Sequence, residues 1–177
     1  MTAVWVMFYL IVFTFIPGLE LRASIPLAFF NSAWREALSL PLAVFICFVA
    51  NCVVGIVTFW LMGPVVNVFR RWHWFNAHIW PRLEQTQHKL HPYVEKYGEL
   101  GLAIFIGVPL PGTGAYSGAF GAYLLGLDKR KFFIANILGV LIAGIAVTAI
   151  CLLLDQGIVA EDSIIRKLFI KQVNVHG

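Results

Sequence analysis

Four long runs of the chain carry no charged residue at all: Met1 to Leu19, Ala37 to Phe69, Leu100 to Leu127 and Phe132 to Leu154. Each is long enough to cross or deeply enter a bilayer core of about 30 Å. Apolar residues make up 60% and charged residues 12% of the 177 positions, against about 25% charged in an ordinary soluble domain. Such a chain cannot stay solvated as a disordered polymer, and its runs are continuously apolar rather than alternating, which disfavours a β-barrel. The expectation is an all-α integral membrane protein. No Lys or Arg precedes Arg22 and no small-residue cleavage site follows the first apolar run, so the N-terminal segment is expected to be retained rather than removed as a signal peptide.

Proline and glycine break two apolar stretches near their middles, one that would otherwise run from Met1 to Phe30 and the other the run from Leu100 to Leu127. The first break is Pro17-Gly18-Leu19-Glu20-Leu21-Arg22-Ala23-Ser24-Ile25-Pro26, and the second is Val108-Pro109-Leu110-Pro111-Gly112-Thr113-Gly114. Prolines two residues apart cannot sit in one straight helix, because each lacks a donor and clashes with the preceding turn. Each half of the second run is then roughly 15 to 20 Å of helix, enough to reach only the middle of the bilayer. Two half-helices of this kind make a re-entrant hairpin, and backbone left unpaired at that depth needs cover from protein or a water-filled cavity.

Charge supports the hairpin over a kinked span. With the second run doubling back, Arg70, Arg71, Arg82, Lys89, Lys96, Lys129, Arg130 and Lys131 gather on one face, which the positive-inside rule makes cytoplasmic in the cell (inner) membrane. A net charge of +4 is accounted for by this asymmetry, and no nucleic-acid partner is implied.

The expected architecture has two full transmembrane helices, at about 39–62 and 132–154, and two opposed re-entrant hairpins, at about 3–34 and 99–127. It forms a single membrane domain over 1–177, with half-repeats 1–62 and 99–154 in an inverted repeat of the kind common in secondary transporters. Setting Pro17-Gly18 on Pro111-Gly112 also aligns Ala28 with Ala122 and Arg35 with Lys129 without gaps. Residues 63–98 read as an interfacial amphipathic linker, with the basic stretch 65–98 cytoplasmic, and residues 158–172 as a C-terminal amphipathic helix. Membrane lipids surround such a chain, and two full spans enclose little volume, which leaves room for a homodimer.

Charged groups inside a membrane segment are expensive and default to function. Glu20 and Arg22 are the candidates. A desolvated Glu20 would carry a coupling proton, and Arg22 would hold an anionic group of a small-molecule or lipid-phosphate substrate through bidentate hydrogen bonds. A plain span from Met1 to Leu19, with both charges among the headgroups, stays open as the other reading. Thr113 would cap a half-helix starting near Gly114, and Ser24 would do the same ahead of Pro26. Two such N-termini meeting at the midplane favour a carboxylate or phosphate, with Tyr116 and Ser117 beside them. The substrate or ion site is therefore expected at Glu20, Arg22, Ser24, Pro26, Pro109, Pro111, Gly112, Thr113, Gly114, Tyr116 and Ser117. Gly114 and Gly118 equally suit close helix packing.

Other signals are weaker. Glu84, His88, His91 and Glu95 fall on one helical face, but Pro92 interrupts the register, so no metal site is expected. Asn51 and Asn136 read as hydrogen-bonding glue between helices. Cys47, Cys52 and Cys151 have no ligand or redox spacing and read as small buried hydrophobes. No catalytic triad, phosphate-cradling loop or zinc-protease motif is present; neither enzyme activity nor a cofactor is expected.

Pro17 to Pro26, together with Pro109-Leu110-Pro111-Gly112-Thr113-Gly114-Ala115-Tyr116-Ser117-Gly118-Ala119, resembles the small multi-drug export proteins. These are small prokaryotic membrane proteins distantly similar to the DedA (VTT-domain) superfamily. The resemblance spans about residues 10 to 155. It implies opposed re-entrant hairpins, an acidic residue in the first that Glu20 matches, and either proton-dependent transport or recycling of polyprenyl-phosphate carriers. The chain departs from the DedA pattern in having no arginine between Pro109 and Leu127. The resulting expectation is a proton-coupled secondary transporter of a small amphipathic or anionic solute, the alternatives being a polyprenyl-phosphate flippase or a non-transporting, lipid-organising module.

Overall fold

The computed structural model describes residues 2–71, 97–110 and 113–156, and these are helical with no strand among them. The first break is real. Helix α1 (Ala3–Phe15) stops at Ile16 because Pro17 cannot continue it and Gly18 turns left-handed, at φ +88°. Helix α2 (Glu20–Phe30) then begins at once and folds back against α1. A single turn, α3 (Ser32–Ala37), follows, with the Asn31 side chain accepting from the Trp34 N–H at 3.2 Å. Trp34 stacks on Tyr9 of α1, with ring centres 6.3 Å apart.

The first long helix, α4 (Leu40–Arg70), starts with Pro41 in its first turn, where a missing N–H costs nothing. It does not end near residue 62. Pro64 deprives only the Trp60 carbonyl of its partner, and the helix continues to Arg70, so the first residues expected in the interfacial linker belong to α4. Helix α5 (Tyr97–Gly107) leads into the second break, followed by α6 (Ala115–Leu124) and the second long helix, α7 (Lys129–Asp155). The Asp128 carboxylate caps α7, accepting from Arg130 N–H at 3.1 Å. The remainder of the expected linker at 72–96, the C-terminal helix at 158–172 and the Glu84/His88/His91/Glu95 face lie outside the described residues.

The two long helices run antiparallel. Arg35, ahead of α4, pairs with Asp155 at the end of α7 at 3.2 Å, and at the other end Lys129 lies over the Trp60 ring, 5.4 Å from its centre. Their outward faces carry large apolar groups, including Trp60, Phe45 and Ile145, each more than 60% exposed, while Asn51 and Asn136 are buried. Apolar outside and polar within is the arrangement a lipid solvent rewards. Two of the described helices are long and apolar enough to cross a bilayer, which fits a membrane protein.

Helix α2 lies at the centre. It packs on α1, α3, α4 and α7, and nine of its eleven residues are buried. Pro26 sits inside α2 rather than at its start, leaving the Arg22 carbonyl without its helical donor. Helices α5, α6 and α7 meet closely at Ile106: a side chain added at either Gly118 or Gly139 would collide with it. At the Lys129 end, Phe59 stacks on Phe132 at 4.4 Å and Tyr123 meets Phe59 edge-on.

Candidate functional site

The first residue of α2 has an unusual backbone. Glu20 has φ +49°, and among the described residues it is the one non-glycine with positive φ. An L-residue held there costs on the order of 1 to 3 kcal/mol, and surrounding contacts must hold it in place. Those contacts come from the second break. The Glu20 carboxylate accepts from Ala115 N–H at 3.1 Å through Oε2 and from Tyr116 N–H at 3.5 Å through Oε1. These are the first two residues of α6, so a carboxylate from one broken segment caps the helix that opens the other.

Arg22 does the converse for α5. Its Nη2 lies 3.1 Å from the Ile106 carbonyl, 2.9 Å from the Val108 carbonyl and 3.0 Å from Thr113 Oγ1. Two hydrogens shared among three acceptors hold a cation at the carbonyl end of α5, where the helix dipole favours it. The Thr113 hydroxyl also contacts the carbonyls of Val108 and Leu110, at 2.7 and 2.9 Å, which ties the loop to itself.

Glu20 and Arg22 are both buried, at 4% and 9% exposure. Among the described residues neither forms an ion pair with the other; the one such pair is Arg35–Asp155. Gly114 separates them. A Cβ there would stand 2.5 and 2.6 Å from the Glu20 carboxylate oxygens and 2.8 Å from Arg22 Nη1. Gly114 itself is extended, at φ 166°, so what the position requires is absence of volume. The Arg22 Nε is buried and has no hydrogen-bond partner.

Two expected caps are not caps. The N-cap position of α6 is Gly114, and no side chain of its own bonds there; Thr113 turns to Arg22 and to the preceding carbonyls, and Glu20 takes the role instead. Ser24 lies one turn inside α2, where its hydroxyl bonds the Glu20 carbonyl at 2.9 Å and meets Thr14 Oγ1 at 2.8 Å. Thr14 and Ser24, both fully buried, thus fasten α1 to α2.

Pro109 is half-buried in the loop, Pro26 is buried in α2, and Pro111 and Gly112 lie outside the described residues. The Tyr116 hydroxyl donates to the Phe15 carbonyl at 2.5 Å, closing the end of α1. Ser117 bonds back to the Gly114 carbonyl at 3.3 Å and also faces a cavity of about 390 Å³ between α5 and α6, walled by Gly101, Leu102, Phe105, Gly121 and Leu125 among others. Sequence reasoning missed Thr14, Phe15, Ile106 and Val108. Thr14 had a visible signal, a hydroxyl in an otherwise apolar run; the others take part through backbone carbonyls, which have no sequence signature.

No curated protein and no solved structure matches the chain. The family model described as "Putative small multi-drug export protein" does match, over residues 20–146. That stretch opens at Glu20 and takes in α2, all of α4 and the second break, and the chain belongs to this family.

Proposed function

We propose that the protein is a proton-coupled secondary transporter that moves a small amphipathic or anionic solute through the space around Glu20, Arg22 and the α5–α6 break. The observation that carries this reading is the reciprocal capping, with Glu20 on the N-terminus of α6 and Arg22 on the C-terminus of α5. Membrane placement and export membership supply its setting.

In this reading α1–α2 and α5–α6 are re-entrant hairpins entering from opposite faces as an inverted repeat. Helix α2 has 11 residues and α6 has 10, or roughly 16 and 15 Å of rise. The two rises add to about the thickness of a bilayer core, which puts their meeting point near the midplane. The equivalence of Arg35 with Lys129 supports the same plan, since each precedes or opens a long helix and reaches the far end of the other. Lys129, Arg130 and Lys131 then lie on the cytoplasmic side of the inner membrane.

Glu20 is the proton carrier. Ionised, it binds the positive end of α6; protonated, it is a weaker acceptor there, and α6 is freed to move against α2. Arg22 supplies the solute contact, with an Nε that is buried and unpartnered and a guanidinium suited to carboxylate or phosphate. A polyprenyl-phosphate flippase is the second reading, favoured by the almost wholly apolar α5–α6 cavity, which suits a hydrocarbon tail. Purified protein in liposomes with an imposed pH gradient tests the proposal. Solute-dependent proton flux should fall by about a hundredfold in Glu20→Gln; an unchanged flux removes Glu20 from the mechanism.

A further inference from the structure

The cavity between α5 and α6 is built by what its walls lack. Tyr97, Gly101 and Phe105 line it from α5, and Ser117, Gly121 and Leu125 from α6. Each set is spaced at i, i+4 and i+8, so one face of each helix forms a wall over roughly 12 Å of rise. A Cβ added at Gly101 or at Gly121 would meet nothing within 4 Å. The space of about 390 Å³ is therefore a furrow kept open by missing side chains, and its lining is almost wholly apolar.

Left unfilled, such a space forfeits the dispersion contacts of its lining. Water gains little there, because it needs roughly two to four polar partners and the Ser117 hydroxyl is already bonded to the Gly114 carbonyl at 3.3 Å. Hydrocarbon fits. The furrow is open to the outside, with Phe105 in its wall 42% exposed. Its length approaches the roughly 15 Å of one leaflet's apolar half, the depth along which an acyl chain lies.

The outer end indicates which lipid. Leu127 also lines the cavity, and α7, long and apolar enough to cross a bilayer, opens two residues later at Lys129. Tyr97 in the cavity wall and Trp60 beneath Lys129 are both more than half exposed, aromatics of the kind that mark headgroup depth. Lys129, Arg130 and Lys131 follow one another there. Asp128 turns its carboxylate onto the start of α7, and Glu99, two residues from Gly101, falls on the other side of α5. Lys129 and Arg130 are exposed, and their Cα atoms lie at most roughly 8 and 12 Å from that of Leu127. Basic side chains at the rim of an apolar furrow suit the phosphate of an anionic lipid. We propose that the cavity holds one acyl chain of an anionic phospholipid, with its phosphate at Lys129 and Arg130. The site needs neither Glu20 nor Arg22 and does not rest on the transport reading.

Photocrosslinking on the full-length protein tests it. The probe is phosphatidylglycerol with a diazirine on one acyl chain, held at fixed content in phosphatidylcholine vesicles. Replacing part of the phosphatidylcholine by unlabelled phosphatidylglycerol should remove cross-links around Gly101 and Gly121 and leave those on the outward face of α7 unchanged. Gly101→Leu and Gly121→Leu fill the furrow with a better helix former, so each should unfold no earlier than wild type while losing these cross-links by about tenfold. In Lys129→Gln/Arg130→Gln the two lipids should compete equally. Cross-links at Gly101 and Gly121 that are absent or insensitive to lipid composition overturn the site, as does a folded leucine variant labelled like wild type. A preference for phosphatidylglycerol that survives the double glutamine variant overturns the headgroup contact. Displacement of the probe by a polyprenyl phosphate at lower concentration than by phosphatidylglycerol overturns this occupant in favour of the carrier lipid.

Discussion

The carboxylate of Glu20 caps Ala115, a residue 95 positions later in the chain. The contact joins the two broken segments directly, with no long helix between them, and makes the start of α6 depend on the fold of α2. Several consequences can be measured.

Gly114→Ala should destabilise the protein by about 1 to 3 kcal/mol, as overpacking does. The new methyl would meet both Glu20 oxygens and Arg22 Nη1, while the extended backbone at 114 imposes no penalty of its own. Thermal unfolding in detergent reads the loss. Glu20→Asp, by withdrawing the carboxylate, should recover part of it, and additive effects in the double variant would show that the crowding lies elsewhere.

Arg22→Met keeps most of the side chain's bulk but strips donors from the carbonyls of Ile106 and Val108 and from Thr113. The Val108 carbonyl keeps its bonds from Leu110 N–H and the Thr113 hydroxyl, so the cost falls mainly on the buried Ile106 carbonyl, on the order of 1 to 3 kcal/mol for an acceptor left unpaired. Arg22→Lys should fall between wild type and methionine, because one ammonium cannot reproduce the planar fork. Denaturant titration of the three proteins should give that order.

Tyr116 serves the site twice, through its backbone N–H to Glu20 and its hydroxyl to Phe15. Tyr116→Phe removes only the second contact. The expected cost is about 1 kcal/mol, with coupled flux still sensitive to Glu20→Gln. Faster amide hydrogen exchange at the end of α1, without a matching change in α6, would locate the effect.

The Arg35–Asp155 pair is 45% and 37% exposed, so Arg35→Ala should change stability by less than about 1 kcal/mol. Its value is as a ruler. Cysteines at 35 and 155 should cross-link, and labels at 35 and 129 should react from opposite faces of the membrane. Cross-linking of 35 to 129 would contradict the antiparallel arrangement.

Both breaks were legible because proline and glycine act locally: Pro17-Gly18 ends α1, and the Pro109 to Gly114 stretch separates α5 from α6. Glu20 and Arg22 stood out because charge inside an apolar run is conspicuous. Their partners were not legible. Arg22 and Ile106 are 84 residues apart, and the acceptor is a main-chain oxygen that any residue type provides. Thr113-Gly114 matched the local pattern of a cap, yet a distant guanidinium and nearby carbonyls claimed the hydroxyl. Pro26 looked like a boundary and proved interior, because it withholds one hydrogen bond and the packing of α2 outweighs that loss.

The left-handed turn at Glu20 acts as a coiled spring on a latch. Its main chain would relax if the carboxylate let go, while the two amides of α6 would lose their anion. A strained main chain and a distant helix start are therefore held by the same two oxygens, so any substitution that shortens or removes the Glu20 side chain acts on both at once.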